Sequence, residues 1–281
     1  IILEKIIYNN IYMIFNFGWL SKGENNNCLK KYGWKKDNVD IRDKIHNYKP
    51  LFGLKYIKKF NLLDNCPDIY EQGKLGSCTA NAIAAAYQFD ENKQLEPNSF
   101  IPSRLFIYYN ERDIENTIKY DSGASIRDGV KSVNKLGVCP ETEWPYDISK
   151  FTEKPSSKCF EIAKIHKSIS YKRIDQSLIQ IKSALLAGFP IIFGFNVYES
   201  FESQSVTDSG MMPMPENNEK LLGGHAVLAV GFDDDKQCVL VRNSWGKDWG
   251  DNGYFYMPYN FIIKSKYCSD FWTIKSITHN K

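Results

Sequence analysis

The 281-residue sequence has little that would bind a metal or cross a membrane. It contains only four histidines, His46, His166, His225 and His279, and no two of them stand at metal-ligand spacing. Its seven cysteines, Cys28, Cys66, Cys78, Cys139, Cys159, Cys238 and Cys268, include no CxxC pair, which argues against a zinc knuckle. Seven is odd, so at least one thiol stays unpaired within the chain. One reactive thiol with up to three bridges fits, and so does one reactive thiol with six free ones. Neither sign of charge dominates. A net charge of +3, with both signs interspersed, argues against a dedicated nucleic-acid surface. Long apolar runs are missing too. Residues 1–20 are apolar but broken by Glu4, Lys5, Asn9, Asn10 and Asn16, and the longest clean run, Ile11 to Phe15, is too short for a signal core or a membrane span.

What is present is ordinary globular usage, 43% hydrophobic and 25% charged, in a chain long enough to bury a sizeable core. Aromatic residues at 14% favour a densely packed interior. Residues 1–60 divide off as an N-terminal extension. Its first third reads as a helix or strand packed on the body, as a pro-segment or as a targeting remnant, and residues 21–50, rich in Asn, Lys and Gly, read as a linker or arm. Residues 61–281 form the main domain. From about Leu62 to Tyr109 the pattern is helical, with Ala82, Ile83, Ala86, Tyr87 and Phe89 spaced for one buried face. Ser125-Ile126-Arg127-Asp128 is a capping box that opens a helix ending at Leu136-Gly137, and Ser177 caps a second that ends at Gly188-Phe189-Pro190. Past Pro190 the pattern turns to strands: 191–197, 225–232, 239–243, 254–257 and 271–277. The chain is therefore α+β, with a helical N-terminal lobe, an antiparallel β C-terminal lobe and a cleft between them. Residues Glu199 to Leu222 form a long polar insertion, read as a surface loop or a substrate-contacting rim.

Three short motifs carry chemistry. Cys78 sits where the Gly-rich turn Gln72-Gly73-Lys74-Leu75-Gly76-Ser77 runs into an Ala-rich helix, and a thiol at a helix N-terminus is biased toward thiolate. Gly224-His225-Ala226 precedes an apolar strand, and Asn243-Ser244-Trp245-Gly246 follows another. Thiol hydrolysis of an amide needs a nucleophile, an acid/base, an orienter for that base and donors to the oxyanion. Cys78 supplies the first, His225 the second and Asn243 the third. Gln72 and the Cys78 N–H supply the fourth, and Trp245 shields the His225–Asn243 bond. Each residue alone has a structural explanation, such as a small buried Cys or a turn Asn. The joint occurrence in the order Cys-His-Asn is what points to catalysis.

These blocks resemble the papain family of cysteine peptidases, over roughly Cys66 to Met257. The stretch from Asn243-Ser244-Trp245-Gly246 through Asp251-Asn252-Gly253-Tyr254 is the most specific match. The resemblance implies a two-lobe papain-like fold, a covalent thioester acyl-enzyme, peptide or protein substrates, and no metal or organic cofactor. It implies substrate-backbone contacts at Ser122-Gly123-Ala124 and a specificity pocket lined at Ala226. The family's usual Cys-Gly-Ser-Cys-Trp is here Leu75-Gly76-Ser77-Cys78-Thr79, so the usual disulfide beside the nucleophile cannot form and the helix start loses a shielding indole. This places the chain nearer a microbial or viral branch than the lysosomal one. The resulting expectation is a cathepsin-like thiol endopeptidase, made as a zymogen whose own N-terminal segment is the inhibitor. Such enzymes work in lysosomal, secreted or virion-associated compartments. The alternatives are a catalytically silent binding module and a thiol acyltransferase, and the Asn-Ser-Trp-Gly block disfavours the latter.

Overall fold

Serine side chains set where most helices start. In a computed structural model, which describes residues 32–50, 53, 56–94 and 99–279, Ser103 accepts from the Phe106 N–H and opens α2 (Arg104–Ile114). Ser125 accepts from Asp128 N–H and opens α3 (Ile126–Lys135), but the reciprocal half of the capping box is not made: the Ser125 hydroxyl donates to the Asp128 carboxylate at 2.8 Å, and its backbone N–H goes to Glu115. Ser156 and Ser177 likewise accept from the N–H three residues on and open α4 (Ser157–Ala163) and α5 (Leu178–Leu186). The central helix α1 (Cys78–Lys93) differs, because the Ser77 side chain does not cap it. Ser77 is held instead by the Tyr146 hydroxyl at 2.5 Å, and its carbonyl accepts from Asn81 Nδ2 at 2.9 Å.

The sheet is antiparallel throughout, in the order β4 (His166–Arg173), β9 (Cys268–His279), β5 (Ile191–Tyr198), β6 (Leu221–Asp233), β7 (Cys238–Arg242), β8 (Tyr254–Pro258). A short β2 (Lys59–Asn61) adds to β6. Alternation along β6 divides the core. Ala226, Leu228 and Val230 face α1 and its neighbours, while Val227 and Ala229 face Phe193, Phe195 and Phe255 in a second cluster. Helix α1 is buried nearly all round, and its alanines allow the sheet to approach closely.

Several boundaries differ from the sequence reading. Residues 66–77 are irregular rather than helical, because Gly73, Gly76 and Pro67 interrupt the apolar pattern. Helix α1 buries more than one face. Strand β6 begins at Leu221, so His225 lies inside a strand instead of opening it. The 199–222 insertion is partly ordered packing. A 3-10 turn (Glu199–Glu202) and α6 (Gln204–Ser209) carry Phe201, Val206 and Met212 into the second core. Strand β4 escaped notice because its sequence, HKSISYKR, is too polar to show alternation. A last short helix, α7 (Tyr259–Ile262), joins β8 to β9.

The described part of the N-terminal extension is not a free linker. Strand β1 (Trp34–Lys35) pairs in parallel with β3 (Ala124–Ser125). The expectations for residues 1–31, Cys28 included, lie outside the described residues. The six described cysteines are free thiols. No described helix is long and apolar enough to cross a membrane.

Candidate active site

Cys78 is the first residue of α1 and is completely buried. The turn before it is fixed from outside. Asp121 accepts from the Gly76 N–H at 3.1 Å and from the Tyr108 hydroxyl, and that hydroxyl accepts from Gly123 N–H at 3.1 Å. One carboxylate and one phenol thus tie together the two glycine-bearing walls on the helical side of the cleft. Gln72 is also fully buried, with its carbonyl oxygen held by Ser244 Oγ at 2.7 Å and its Nε2 donating to Leu75 O at 3.0 Å.

The sheet supplies the facing residues. His225 Nε2 lies 2.8 Å from Asn243 Oδ1, and that oxygen also accepts from Ser244 N–H at 2.9 Å. Both residues are buried. Trp245 stacks on the imidazole, with ring centroids 4.8 Å apart and planes 27° apart, and is itself backed by Trp249 and Phe201. The ring is therefore fixed by one hydrogen bond and one stacked indole in a dry environment, which strengthens the bond to Asn243.

The environment of the thiol departs from the sequence expectation. A helix start beside a histidine favours thiolate, yet burial pushes the Cys78 thiol up to about 12, against the pull of backbone hydrogen bonds to Ala226, Gly33 and Thr79. The cover is Gly33. Its Cα lies 3.5 Å from the position a Gly76 Cβ would take, and a Cβ on Gly33 would fall 1.8 Å from the Gly76 carbonyl oxygen. The Gly33 carbonyl accepts from Ala124 N–H at 2.7 Å, and a Cβ on Gly123 would sit 2.0 Å from it. Gly123 and Ala124, expected to meet substrate backbone, here contact the backbone of the chain's own arm. Tyr32, one residue earlier, lies edge-on to His225 with centroids 6.2 Å apart and bonds Glu202 of the insertion. This gives the 199–222 segment a place on the rim.

Thr79 corrects a second expectation. It does not leave the helix start open. It is fully buried and donates to Glu111 at 2.8 Å, and burial holds that carboxyl far above the usual carboxylate range. Sequence reasoning missed Gly33, Trp34 and Asp270. Trp34 fills a pocket between Gly194 and Gly224, and its Nε1 donates to Asp270 at 3.2 Å. The only signal was a Gly-Trp pair within a polar stretch.

A buried thiol at a helix start, hydrogen-bonded to the backbone of Ala226, next in sequence to a histidine held by an asparagine and a tryptophan, is an arrangement suited to thiol hydrolysis in an α+β fold. Comparisons with known proteins agree. The description "Papain family cysteine protease" matches residues 61–269. An uncharacterized peptidase C1-like protein of Acanthamoeba polyphaga mimivirus is 47% identical over 277 residues, covering 94% of this chain and 88% of that protein. The crystal structure of xylellain, a cysteine protease from Xylella fastidiosa, superposes with a TM-score of 0.80 at 44% identity, covering 88% of this chain and 96% of the other. Cysteine proteinase 3 of Solanum lycopersicum is 29% identical over 66% of this chain, which spans about half (51%) of its length. The chain belongs to the papain family of cysteine proteases and is a cysteine-type peptidase.

Proposed function

We propose that Cys78, His225, Asn243 and Gln72 form the catalytic set of an endopeptidase, and that the arm through Tyr32–Trp34 holds it as a zymogen. The observation that carries the first part is the imidazole fixed between Asn243 and Trp245 on the strand facing the start of α1. With Nε2 engaged by Asn243, Nδ1 is the nitrogen that serves the thiol. In the uncovered enzyme it holds the proton that Cys78 gives up, so that the Sγ thiolate attacks the scissile carbonyl, and the oxyanion is met by Cys78 N–H and the Gln72 side-chain amide. The C–N bond then breaks, His225 gives its proton to the leaving amine, and water hydrolyses the thioester with His225 acting as base. Replacing Gln72 with Ala is expected to lower kcat/KM of the uncovered enzyme about 100- to 1,000-fold, with most of the loss in kcat.

Chain direction supports the second part. In a productive complex the leaving amine must reach His225. The substrate's C-terminal part therefore lies beside His225 and Trp245, and its acyl part lies beside Gly123. The arm does the reverse, because its earlier residue Tyr32 is beside His225 and its later residue Trp34 is beside Ala124. Its Gly33 carbonyl is turned to Ala124 N–H instead of to the oxyanion donors. A peptide seated backwards presents no carbonyl for attack and resists cleavage.

The test is labelling with a thiol-directed peptidyl epoxide, read by intact mass. The full chain should label slowly. A chain whose arm has been displaced should take one adduct, and Cys78→Ala should take none. A full chain that labels as fast as the displaced one would remove the zymogen reading. Absence of any adduct in either form would favour the binding module.

A further inference from the structure

Behind the nucleophile, the first turn of α1 meets α2 and α3, and a carboxyl group lies at the junction. Glu111 of α2 is fully buried. Its Oε2 accepts from Thr79 Oγ1 at 2.8 Å, and its Oε1 has no hydrogen-bond partner among the described residues. The fit around Oε1 is close. A Cβ on Gly129 of α3 would fall 2.2 Å from that oxygen and 2.2 Å from Ile83 Cδ1 of α1. Gly129 therefore makes the room that this carboxyl fills.

The charged groups around it do not compensate it. Glu115 of the α2 end and Asp128 of α3 are themselves acidic; Glu115 pairs with Lys35 at 2.8 Å, and Asp128 accepts from Ser125 Oγ at 2.8 Å. Arg112, next on the same helix, donates instead to the carbonyls of Tyr108, Ile118, Tyr120 and Phe151. An ionised carboxylate without its own cation in a dry junction is far more costly than the neutral acid. Burial, joined by the charges of Glu115 and Asp128, outweighs the pull of Arg112 and keeps Glu111 protonated.

The consequence falls one residue from the chemistry. The Thr79 N–H is one of the backbone donors that favour the Cys78 thiolate, whereas charge on Glu111 would oppose it. The bond to Glu111 ties the Thr79 side chain into the α2–α3 junction and so sets where that N–H points. A neutral Glu111 serves the thiolate by position, and an ionised one would work against it by charge. We propose that Glu111 is a positioning residue for the nucleophile, a neutral acid that holds Thr79 so that its N–H meets the Cys78 thiolate with no negative charge behind it. The inference rests on the peptidase reading above, in which Cys78 is the nucleophile.

The experiment uses the full chain carrying Gly33→Ala to uncover the thiol, and follows alkylation of Cys78 by iodoacetamide across pH, with Cys78→Ala as the blank. Thr79→Val and Glu111→Leu should each raise the apparent pKa of Cys78 and slow its labelling at neutral pH roughly tenfold, the effect of one hydrogen bond to a charged group. Thr79→Ser and Glu111→Gln, which keep the hydroxyl and a neutral acceptor, should restore both. If Glu111→Leu does not fold, the two Thr79 variants decide. The infrared difference between the parent and Glu111→Gln should show the loss of a protonated-carboxyl band, a signature that packing alone would not produce. Loss of an ionised-carboxylate band instead, with Cys78 labelling faster in Glu111→Gln than in the parent, would overturn the proposal. So would Thr79→Val labelling with the parent's profile. No adduct on the parent would overturn the peptidase reading and the positioning role with it, while the protonated band would still show Glu111 to be neutral.

Discussion

The arm has two stretches, and they are held in unlike ways. Residues 32–34 lie in the cleft through close backbone contact with Gly76, Gly123 and Gly224 and through rings set against His225 and Gly194. Residues 37–48 are held by charge and hydrogen bonds. Asp37 accepts from Arg127 N–H at 3.1 Å and from Trp272 Nε1 at 2.8 Å. Asp43 pairs with Arg127 at 2.9 Å and with Arg173 at 3.0 Å. His46 and Tyr48 donate their N–H groups to Arg173 O and Gln180 Oε1. The first stretch covers the chemistry by shape and has no charged group over the thiol. The second fixes the arm to the body and carries the titratable groups. Covering and anchoring are therefore separable, and each should fail in its own way.

The anchor should give the largest effect. Asp43→Ala leaves two guanidinium groups facing each other without their shared carboxylate, and breaking a buried pair from one side costs about 3–5 kcal/mol. We expect a clear fall in Tm together with faster labelling of Cys78. The pair is mostly shielded from solvent, so added salt should imitate the substitution only weakly.

Gly33→Ala attacks the cover alone. Its added methyl would meet the Gly76 carbonyl oxygen at 1.8 Å, a backbone atom that cannot swing aside. Overpacking of this kind costs about 1–3 kcal/mol, so labelling of Cys78 should rise roughly 10- to 100-fold while Tm moves little. If Tm falls as far as it does for Asp43→Ala, the two stretches are one unit and the comparison fails.

A smaller effect concerns pH. Burial, then the neighbouring Asp270 carboxylate, raises Asp37 to about 6, and Asp270 is raised by its own burial. A carboxyl raised in the docked state binds more protons there than when free. Its contribution to docking is therefore full below about pH 4 and is lost as pH rises through about 6. Mild acid should tighten the arm through this pair instead of releasing it. Nicking of the arm by an added protease should increase over that window in the full chain and stay flat in Asp37→Asn. An increase that survives the substitution would assign the titration elsewhere.

Much of the candidate site was legible in the sequence because it is written in local signals. The Gly-rich turn before Cys78, the serine caps at Ser125 and Ser177, and the Asn-Ser-Trp-Gly block each act within a few residues of themselves. The arm was not legible for the opposite reason. Tyr32, Gly33 and Trp34 sit in a polar, Asn- and Lys-rich stretch, and their meaning comes from glycines at positions 76, 123, 194 and 224. Asp270 was hidden the same way, as one acid in a strand whose partners lie on the arm and on β4. Strand β4 was missed because its charged residues obscure the period of two. The Leu62–Tyr109 region was over-read as helix because apolar content alone does not separate a helix from a packed irregular turn.

The most direct measurement is the pH dependence of Cys78 alkylation by a small neutral thiol reagent, in the full chain and in Gly33→Ala, with Cys78→Ala as the blank. Buried under Gly33, the thiol should ionise only near pH 12 in the full chain. With the cover displaced, the helix start and His225 should bring its apparent pKa well below the value near 8.5 of an ordinary cysteine. Identical profiles in the two proteins, at either end of that range, would contradict the claim that the arm covers an otherwise activated nucleophile.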